Sequence, residues 1–271
     1  MRTFVIGDVH GMSDELAALH YKLEPEPGDR FAFLGDYVDK GPDSLEALRM
    51  VRMLVSHYPG SVAIAGNHEE SALALYDKAQ KAGSWEGLRK ADKEPWLKDM
   101  TDSDYQWAKS LPLFARLPGV LLIHGGLFPA FFDNYDALPS ASPEDWHKGG
   151  GRVMSRMRRF LRIRHVFNPE TLNAKGKDVS GQMVSMGDEG ESTHSWAESY
   201  DGCEGFAFYG HAPQRSGRVL KHEHAMGLDT GAVFGGRLTA AVFEPGQSPD
   251  QATLISVQGR KMAEWLESFE A

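Results

Sequence analysis

Four side chains among the first 70 residues have the types and spacing to hold metal ions. Asp8 and His10 stand two apart, so a carboxylate oxygen and an imidazole nitrogen can converge on one cation. Asp36 can add a carboxylate that bridges to a second cation, and Asn67 offers a neutral amide oxygen. Nitrogen and oxygen donors without sulfur suit manganese, iron or zinc better than calcium or a thiolate zinc site. A lone Asp-x-His is a weak signal, since most such triplets are surface loops or caps. Three glycine-anchored clusters in series are a strong one: Gly7-Asp8-Val9-His10-Gly11, Gly35-Asp36-Tyr37-Val38-Asp39-Lys40-Gly41 and Gly66-Asn67-His68-Glu69.

Each cluster ends a short apolar run, Phe4-Val5-Ile6, Phe31-Ala32-Phe33-Leu34 and Val62-Ala63-Ile64-Ala65. Runs of this length, β-branched or aromatic and closed by glycine, predict buried strands. The intervening stretches suit crossover helices. One carries Leu16, Ala17, Leu19 and Leu23 at helical spacing with Ser13 as its expected cap, and the other runs from about Ser44 to Tyr58. The clusters are therefore expected at the carboxyl ends of parallel strands, where open α/β sheets place their sites. His20 lies on the apolar stripe and reads as a core or boundary residue.

Two further runs end in histidine: Val120-Leu121-Leu122-Ile123 into His124-Gly125-Gly126, and Phe206-Ala207-Phe208-Tyr209 into Gly210-His211. Between these elements lie two insertions. Residues 69–110 read as mostly helical and rich in surface charge, with Thr101 and Asp104 as a capping pair. Residues 128–200 read as irregular and hold a strongly basic stretch, Lys148, Arg152, Arg156, Arg158, Arg159, Arg162 and Arg164, whose spacing from Arg152 onward predicts a helix with Arg158 turned partly inward. Gly149-Gly150-Gly151 before it reads as a flexible joint. The final third predicts short strands at 206–209, 225–228, 238–243 and 253–257, forming a second sheet packed on the first. His222 and His224 read as loop residues.

The series of clusters resembles the metallophosphoesterase signature, specifically the phosphoprotein-phosphatase branch, which includes protein serine/threonine phosphatases and bacterial symmetrical diadenosine tetraphosphatases. The resemblance runs from residue 3 to about 245. It implies an α/β fold, a two-sheet β-sandwich flanked by helices, carrying the two insertions in a single domain over 1–271. It also implies two divalent cations, manganese first with iron or zinc as alternatives. Asp8, His10 and Asp36 would hold one, and Asp36, Asn67, His124 and His211 the other. A water shared between them, held as hydroxide, would attack the phosphate. His68 would be the general acid and Asp39 its orienting partner. Lys40 and Arg158 would meet the substrate phosphate, Arg158 because Ser155-Arg156-Met157-Arg158 resembles the family's arginine segment, with Arg156 in reserve.

Lys40 departs from the arginine of the protein-phosphatase form, and a lysine lacks the planar fork that clamps two phosphate oxygens. Lys40-Gly41-Pro42-Asp43-Ser44 and Leu228-Asp229-Thr230-Gly231 resemble the diadenosine-tetraphosphatase-like subgroup. The implied substrates are then phosphoanhydrides: dinucleoside polyphosphates, capped RNA or polyphosphate. His124-Gly125-Gly126 pulls toward the protein serine/threonine or tyrosine phosphatases. A nuclease or cyclic phosphodiesterase of the wider superfamily is opposed by Pro213, which stands where those enzymes usually have a second histidine, and a noncatalytic scaffold is opposed by the filled ligand positions.

Composition bounds the rest. The chain has 271 residues, 41% hydrophobic and 25% charged, enough for one well-buried α/β core. Its net charge of −9 argues against general nucleic-acid binding. The one cysteine, Cys203, excludes an internal disulfide and a thiolate metal site, and reads as a small core residue. No apolar run approaches the roughly 20 residues that span a bilayer. With the first motif at residue 7 leaving no room for a leader, the expectation is a soluble, cytoplasmic protein.

Overall fold

The computed structural model describes residues 1–88, 91–92, 94–128, 158–185 and 187–261. Two five-stranded sheets face each other. The first has the order β12-β11-β1-β2-β3, and the second β4-β5-β8-β10-β9. Strands β1 (Thr3–Ile6), β2 (Arg30–Phe33) and β3 (Val62–Ala63) run parallel, with Ile6 opposite Phe33 and Phe33 opposite Ala63. In the second sheet β5 (Val120–Ile123), β8 (Phe206–Tyr209) and β10 (Ala225–Gly227) are parallel, with Ile123 opposite Tyr209. Strands β4 (Phe114–Leu117) and β9 (Leu220–Lys221) close the sheet antiparallel at its edges.

The inner faces share one apolar cluster: Val5, Ala32, Leu34 and Ile64 from the first sheet with Leu122, Phe208, Met226 and Leu228 from the second. The alternate residues Phe4, Ile6, Phe31 and Phe33 face outward. They are buried too, in a cluster with residues of helices α1 (Ser13–Leu23) and α2 (Ser44–His57). Burial on both faces explains why these strands read as continuous apolar runs rather than alternating ones.

Several expectations are corrected. Ser13 is the first helical residue of α1, not its cap; Met12 holds the cap position with no side-chain bond. Strands β11 (Arg237–Phe243) and β12 (Thr253–Gln258) return to the first sheet, β11 pairing antiparallel with β1, so the final third is divided between the sheets. β11 is buried at every position from Leu238 to Phe243, as a strand covered on both faces must be. Helix α3 (Asn67–Ala82) begins at Asn67 itself rather than after His68. Helix α4 (Asp102–Lys109) starts in the expected capping box, with Thr101 and Asp104 bonding reciprocally. Arg158–Leu161 forms a short 3₁₀ turn. Residues 148–157, with Arg156, lie outside the described residues. The remaining strands β6 (His165–Phe167) and β7 (Thr193–Ser195) make a separate antiparallel pair.

Cys203 is exposed. Its turn is organised by the Asp201 carboxylate, which accepts the Cys203 backbone N–H at 3.0 Å, so local turn chemistry overrides the residue's usual preference for the interior. Among the described residues no helix is long and apolar enough to cross a membrane.

Candidate metal centre

The centre forms where β1, β2, β3, β5 and β8 end. Seven described non-glycine residues have positive φ, and five of them are here: His10 (47°), Asp36 (53°), Asp39 (67°), Lys40 (69°) and His211 (65°). Strain concentrated this way marks a site the surrounding structure over-determines. Gly66 is required for close approach, since a Cβ there would lie 2.1 Å from Asp36 Oδ1.

Asp36 lies at the middle. His124 Nε2 is 3.2 Å from its Oδ1, His10 Nε2 is 3.6 Å from its Oδ2, and His68 Nε2 is 3.9 Å from Oδ2. Asp8, whose Oδ2 is 3.9 Å from His10 Nε2, accepts the His211 backbone N–H at 3.1 Å. Asn67 Oδ1 is 3.1 Å from His124 Nε2. The rings of His124 and His211 are 5.2 Å apart. Two overlapping groups of donor atoms result, each within 4.8 Å: His10, Asp36 and His68, and Asp36, His124 and His211. Asp36 belongs to both. His222 and His224, on the β9–β10 connection, belong to neither.

Backbone carbonyls set the tautomers of two imidazoles. The Nδ1–H of His10 donates to Val38 O at 2.9 Å and that of His124 to Leu34 O at 2.7 Å. Each Nε2 is thereby left with its lone pair toward the centre. His68 is held differently: Asp39 Oδ2 is 2.6 Å from its Nδ1, and Trp96 Nε1–H donates to Asp39 Oδ1 at 3.1 Å. The pair of carboxylate and imidazole is thus fixed from behind by a residue of the 69–110 insertion.

Burial and mutual proximity set the charges of this cluster. Burial pushes the Asp8 carboxyl well above its usual range, and Asp229 and Asp36 push the same way. Burial holds His10 down at about 3. It also drives His211 well below normal, with His124 adding to the effect. Burial would raise Asp36 too, but His124, His68 and His10 outweigh it and hold it well below. A protein cation also reaches in: the Lys40 ammonium donates to His10 Nε2 at 2.8 Å, a nitrogen 3.6 Å from Asp36 and 3.9 Å from Asp8. Oxygen and nitrogen donors, buried carboxylates and a protein cation drawn between them fit divalent metal ions.

Arg158 is less closely tied to the centre than expected. Its side chain is 40% exposed, with Nε 3.8 Å from Glu70 Oε1, while Arg162 Nη1 meets the other Glu70 oxygen at 2.6 Å. Four residues with clear positions here were given no role from the sequence. Buried Glu69 accepts the backbone N–H groups of Asp36, Tyr37 and Gly66 at 2.8 Å each and so ties two of the clusters together. Burial lifts it to about 7, with Asp36 adding to the shift. Asp229 lies beside Asp8. Both stand inside quoted motifs, so position was a usable signal. Trp96 and Arg164, which donates to His211 O at 2.8 Å, had none.

Two facing mixed sheets whose strand ends converge on a cluster of oxygen and nitrogen donors suit a phosphoesterase. The chain belongs to the calcineurin-like phosphoesterases, whose sequence profile matches residues 1–215. It is an enzyme, a hydrolase of phosphoric esters or anhydrides, in a family that uses divalent metals. It is similar to the symmetrical bis(5'-nucleosyl)-tetraphosphatase of Xanthomonas oryzae pv. oryzae strain PXO99A, 28% identical over 298 residues that cover 97% of this chain and 86% of that protein. The Escherichia coli O1:K1 / APEC protein of the same name is 29% identical over 283 residues, covering 91% and 93%. In fold it resembles a solved structure described as a candidate diadenosine tetraphosphatase, with TM-score 0.66, 24% identity and coverage of 96% and 94%. It also resembles the cold-active protein-tyrosine phosphatase of a Shewanella species, with TM-score 0.54, 15% identity and coverage of 96% and 80%.

Proposed function

We propose that this enzyme hydrolyses the phosphoanhydride of dinucleoside polyphosphates at a centre of two divalent cations. Asp8, His10 and Asp36 would hold one cation, and Asp36, Asn67, His124 and His211 the other, manganese being the first choice. The observation that carries the reading is the convergence of these donors around Asp36, with the His68–Asp39 pair at their edge. When bound, the cations activate water and neutralise a phosphate. His68 turns Nε2 toward the centre while Asp39 holds Nδ1, the arrangement that lets an imidazole hand a proton to a leaving oxygen. Lys40 supplies a point charge beside the phosphates, and Arg158, anchored at Glu70, a second one.

The competing reading, a phosphoprotein phosphatase, rested on His124-Gly125-Gly126. Packing accounts for those glycines. A Cβ on Gly125 would lie 2.4 Å from Phe160 O, and one on Gly126 2.2 Å from Trp196 Nε1. Both backbone N–H groups donate to Phe160 O at 2.9 Å. The glycines are thus tied to the seating of the 158–161 turn and speak little about substrate. The relatives named for dinucleoside tetraphosphates support the anhydride over capped RNA or inorganic polyphosphate. The test is kcat/KM measured side by side for diadenosine tetraphosphate, tripolyphosphate, capped RNA and a phosphopeptide. Diadenosine tetraphosphate should lead, and Lys40→Arg should move the balance toward phosphomonoesters. Efficient phosphopeptide hydrolysis with little action on any anhydride would reverse the assignment.

A further inference from the structure

Directly after His211 the chain turns through Ala212, Pro213, Gln214 and Arg215. With Arg164, His165, Glu189 and Trp196 and with Leu220 of β9 this turn lines a cavity of about 360 Å³. That is the small end of the range in which cavities take small molecules, and too small for a folded peptide segment. Its walls carry charge and apolar surface together. Arg164, Arg215 and Glu189 supply the charge, Pro213 and Leu220 the apolar contact, and Tyr209 a ring with a hydroxyl.

Three observations point to one kind of occupant. First, the cavity adjoins the metal centre, because Arg164, which lines it, donates through Nη2 to the His211 carbonyl at 2.8 Å. Second, cations mark a track toward it. The Phe234 ring has the Lys40 ammonium 5.6 Å from its centroid and the Arg215 guanidinium 4.7 Å from it, so the active-site lysine and the cavity arginine flank one side chain. Third, the cavity wall has unused hydrogen-bonding capacity. Arg164 Nε is buried with no hydrogen-bond partner among the described residues, and a buried donor of that kind ordinarily has one. Glu189 adds an acceptor, its Oε1 4.0 Å from His165 Nδ1.

A polyphosphate alone would leave the apolar wall and the carboxylate unmatched, and an apolar ligand would leave the arginines unmatched. A nucleoside carried on a phosphate chain satisfies all of them. We propose that this cavity is the subsite for one terminal nucleoside of the substrate, with Arg215 and Arg164 guiding the phosphates from the metal centre to it. The proposal rests on the anhydride reading above and adds where the end group is bound.

The test uses two variants away from the centre, Leu220→Trp to fill the cavity and Glu189→Gln to replace its carboxylate with a neutral amide, each checked for an unaltered melting profile. The ratio of kcat/KM for diadenosine tetraphosphate to that for tripolyphosphate, which has no nucleoside, should fall about tenfold or more in Leu220→Trp and severalfold in Glu189→Gln, with the loss in KM. Isothermal titration of AMP into the wild-type protein should show binding that Leu220→Trp abolishes and that competes with diadenosine tetraphosphate. Unchanged ratios in both variants, or AMP binding that survives the filled cavity, would overturn the subsite. AMP that binds without competing would make the cavity an effector site and overturn its role as a substrate end. Absence of turnover with either anhydride, alongside AMP binding lost in Leu220→Trp, would instead remove the anhydride reading and leave a nucleotide cavity.

Discussion

His68 is the residue on which chemistry and binding separate. Its backbone N–H donates to Asp36 Oδ1 at 2.9 Å and its ring is held by Asp39, so replacing the ring alone leaves the Asp36 position largely intact. His68→Ala should retain bound metal yet lose about 10²- to 10⁴-fold in turnover of substrates with poor leaving groups, the usual worth of a general acid. With nitrophenyl phosphate the loss should shrink, and an equal loss on both substrates would take His68 out of the acid role. Trp96 extends the argument one residue outward. Its indole N–H divides between Asp39 Oδ1 and Glu94 Oε2, both at 3.1 Å, and steadies the carboxylate that aims the imidazole. Trp96→Phe should show the same leaving-group dependence, weaker by the worth of one hydrogen bond to a charged group, about tenfold. A uniform loss across leaving groups would mean that Trp96 only supports the fold. Asp36→Asn differs in kind: as the shared donor, it should lower the content of both metals at once by elemental analysis.

Among the elements, α4 shows how the 69–110 insertion is secured. Asp104 closes the capping box with Thr101 and also receives a bidentate Arg49 from α2, at 2.7 and 3.2 Å. Arg49, ahead of the opposing effect of burial and with the help of Thr101, holds the Asp104 carboxyl at about 2. A depressed carboxyl contributes stability above its unfolded value, and that contribution disappears as pH falls through the folded one. Asp104→Asn should therefore cost about 1 kcal/mol at neutral pH, kept small because Arg49 is 43% exposed. The difference in Tm from wild type should close as pH falls from about 4 to about 2; a difference that stays constant over that range would show that the carboxylate's charge is not what matters. This capping box was legible in the sequence because its partners are three residues apart. The parallel strands were legible for a related reason, since burial on both faces writes an uninterrupted apolar run ending at the ligand loops. Contacts between distant segments left no such trace: Trp96 to Asp39 spans 57 residues and Arg164 to His211 spans 47. The division of the last strands between the sheets was hidden for the same reason, because β11 chooses its partner β1 from the other end of the chain.

At the scale of the molecule, the proposed centre would also fasten the two sheets together. Asp8, His10, Asp36 and Asn67 follow strands of the first sheet, whereas His124 and His211 follow β5 and β8 of the second. Between those donors the sheets are joined by the apolar cluster of Val5, Leu34, Leu122 and Phe208, and by polar links at the strand ends that include His124 to Leu34 O, Asn67 and Asp36 and His211 N–H to Asp8. Metal held by donors from both sheets binds the folded state and not the unfolded chain, so it stabilises by mass action, about 2.7 kcal/mol at a free concentration one hundred times its Kd. Chelation should accordingly lower Tm, and adding manganese should restore it in a concentration-dependent way. The donors' origins sharpen the prediction. His211→Ala removes a second-sheet ligand and should abolish most of the manganese-dependent rise in Tm, whereas Leu220→Trp, on the same sheet but outside the donor set, should keep it. Scanning calorimetry of the three proteins with chelator and with graded manganese decides the matter. A rise in Tm equal in His211→Ala and wild type would place the stabilising metal outside the donors assigned here and would undo the two-sheet fastening.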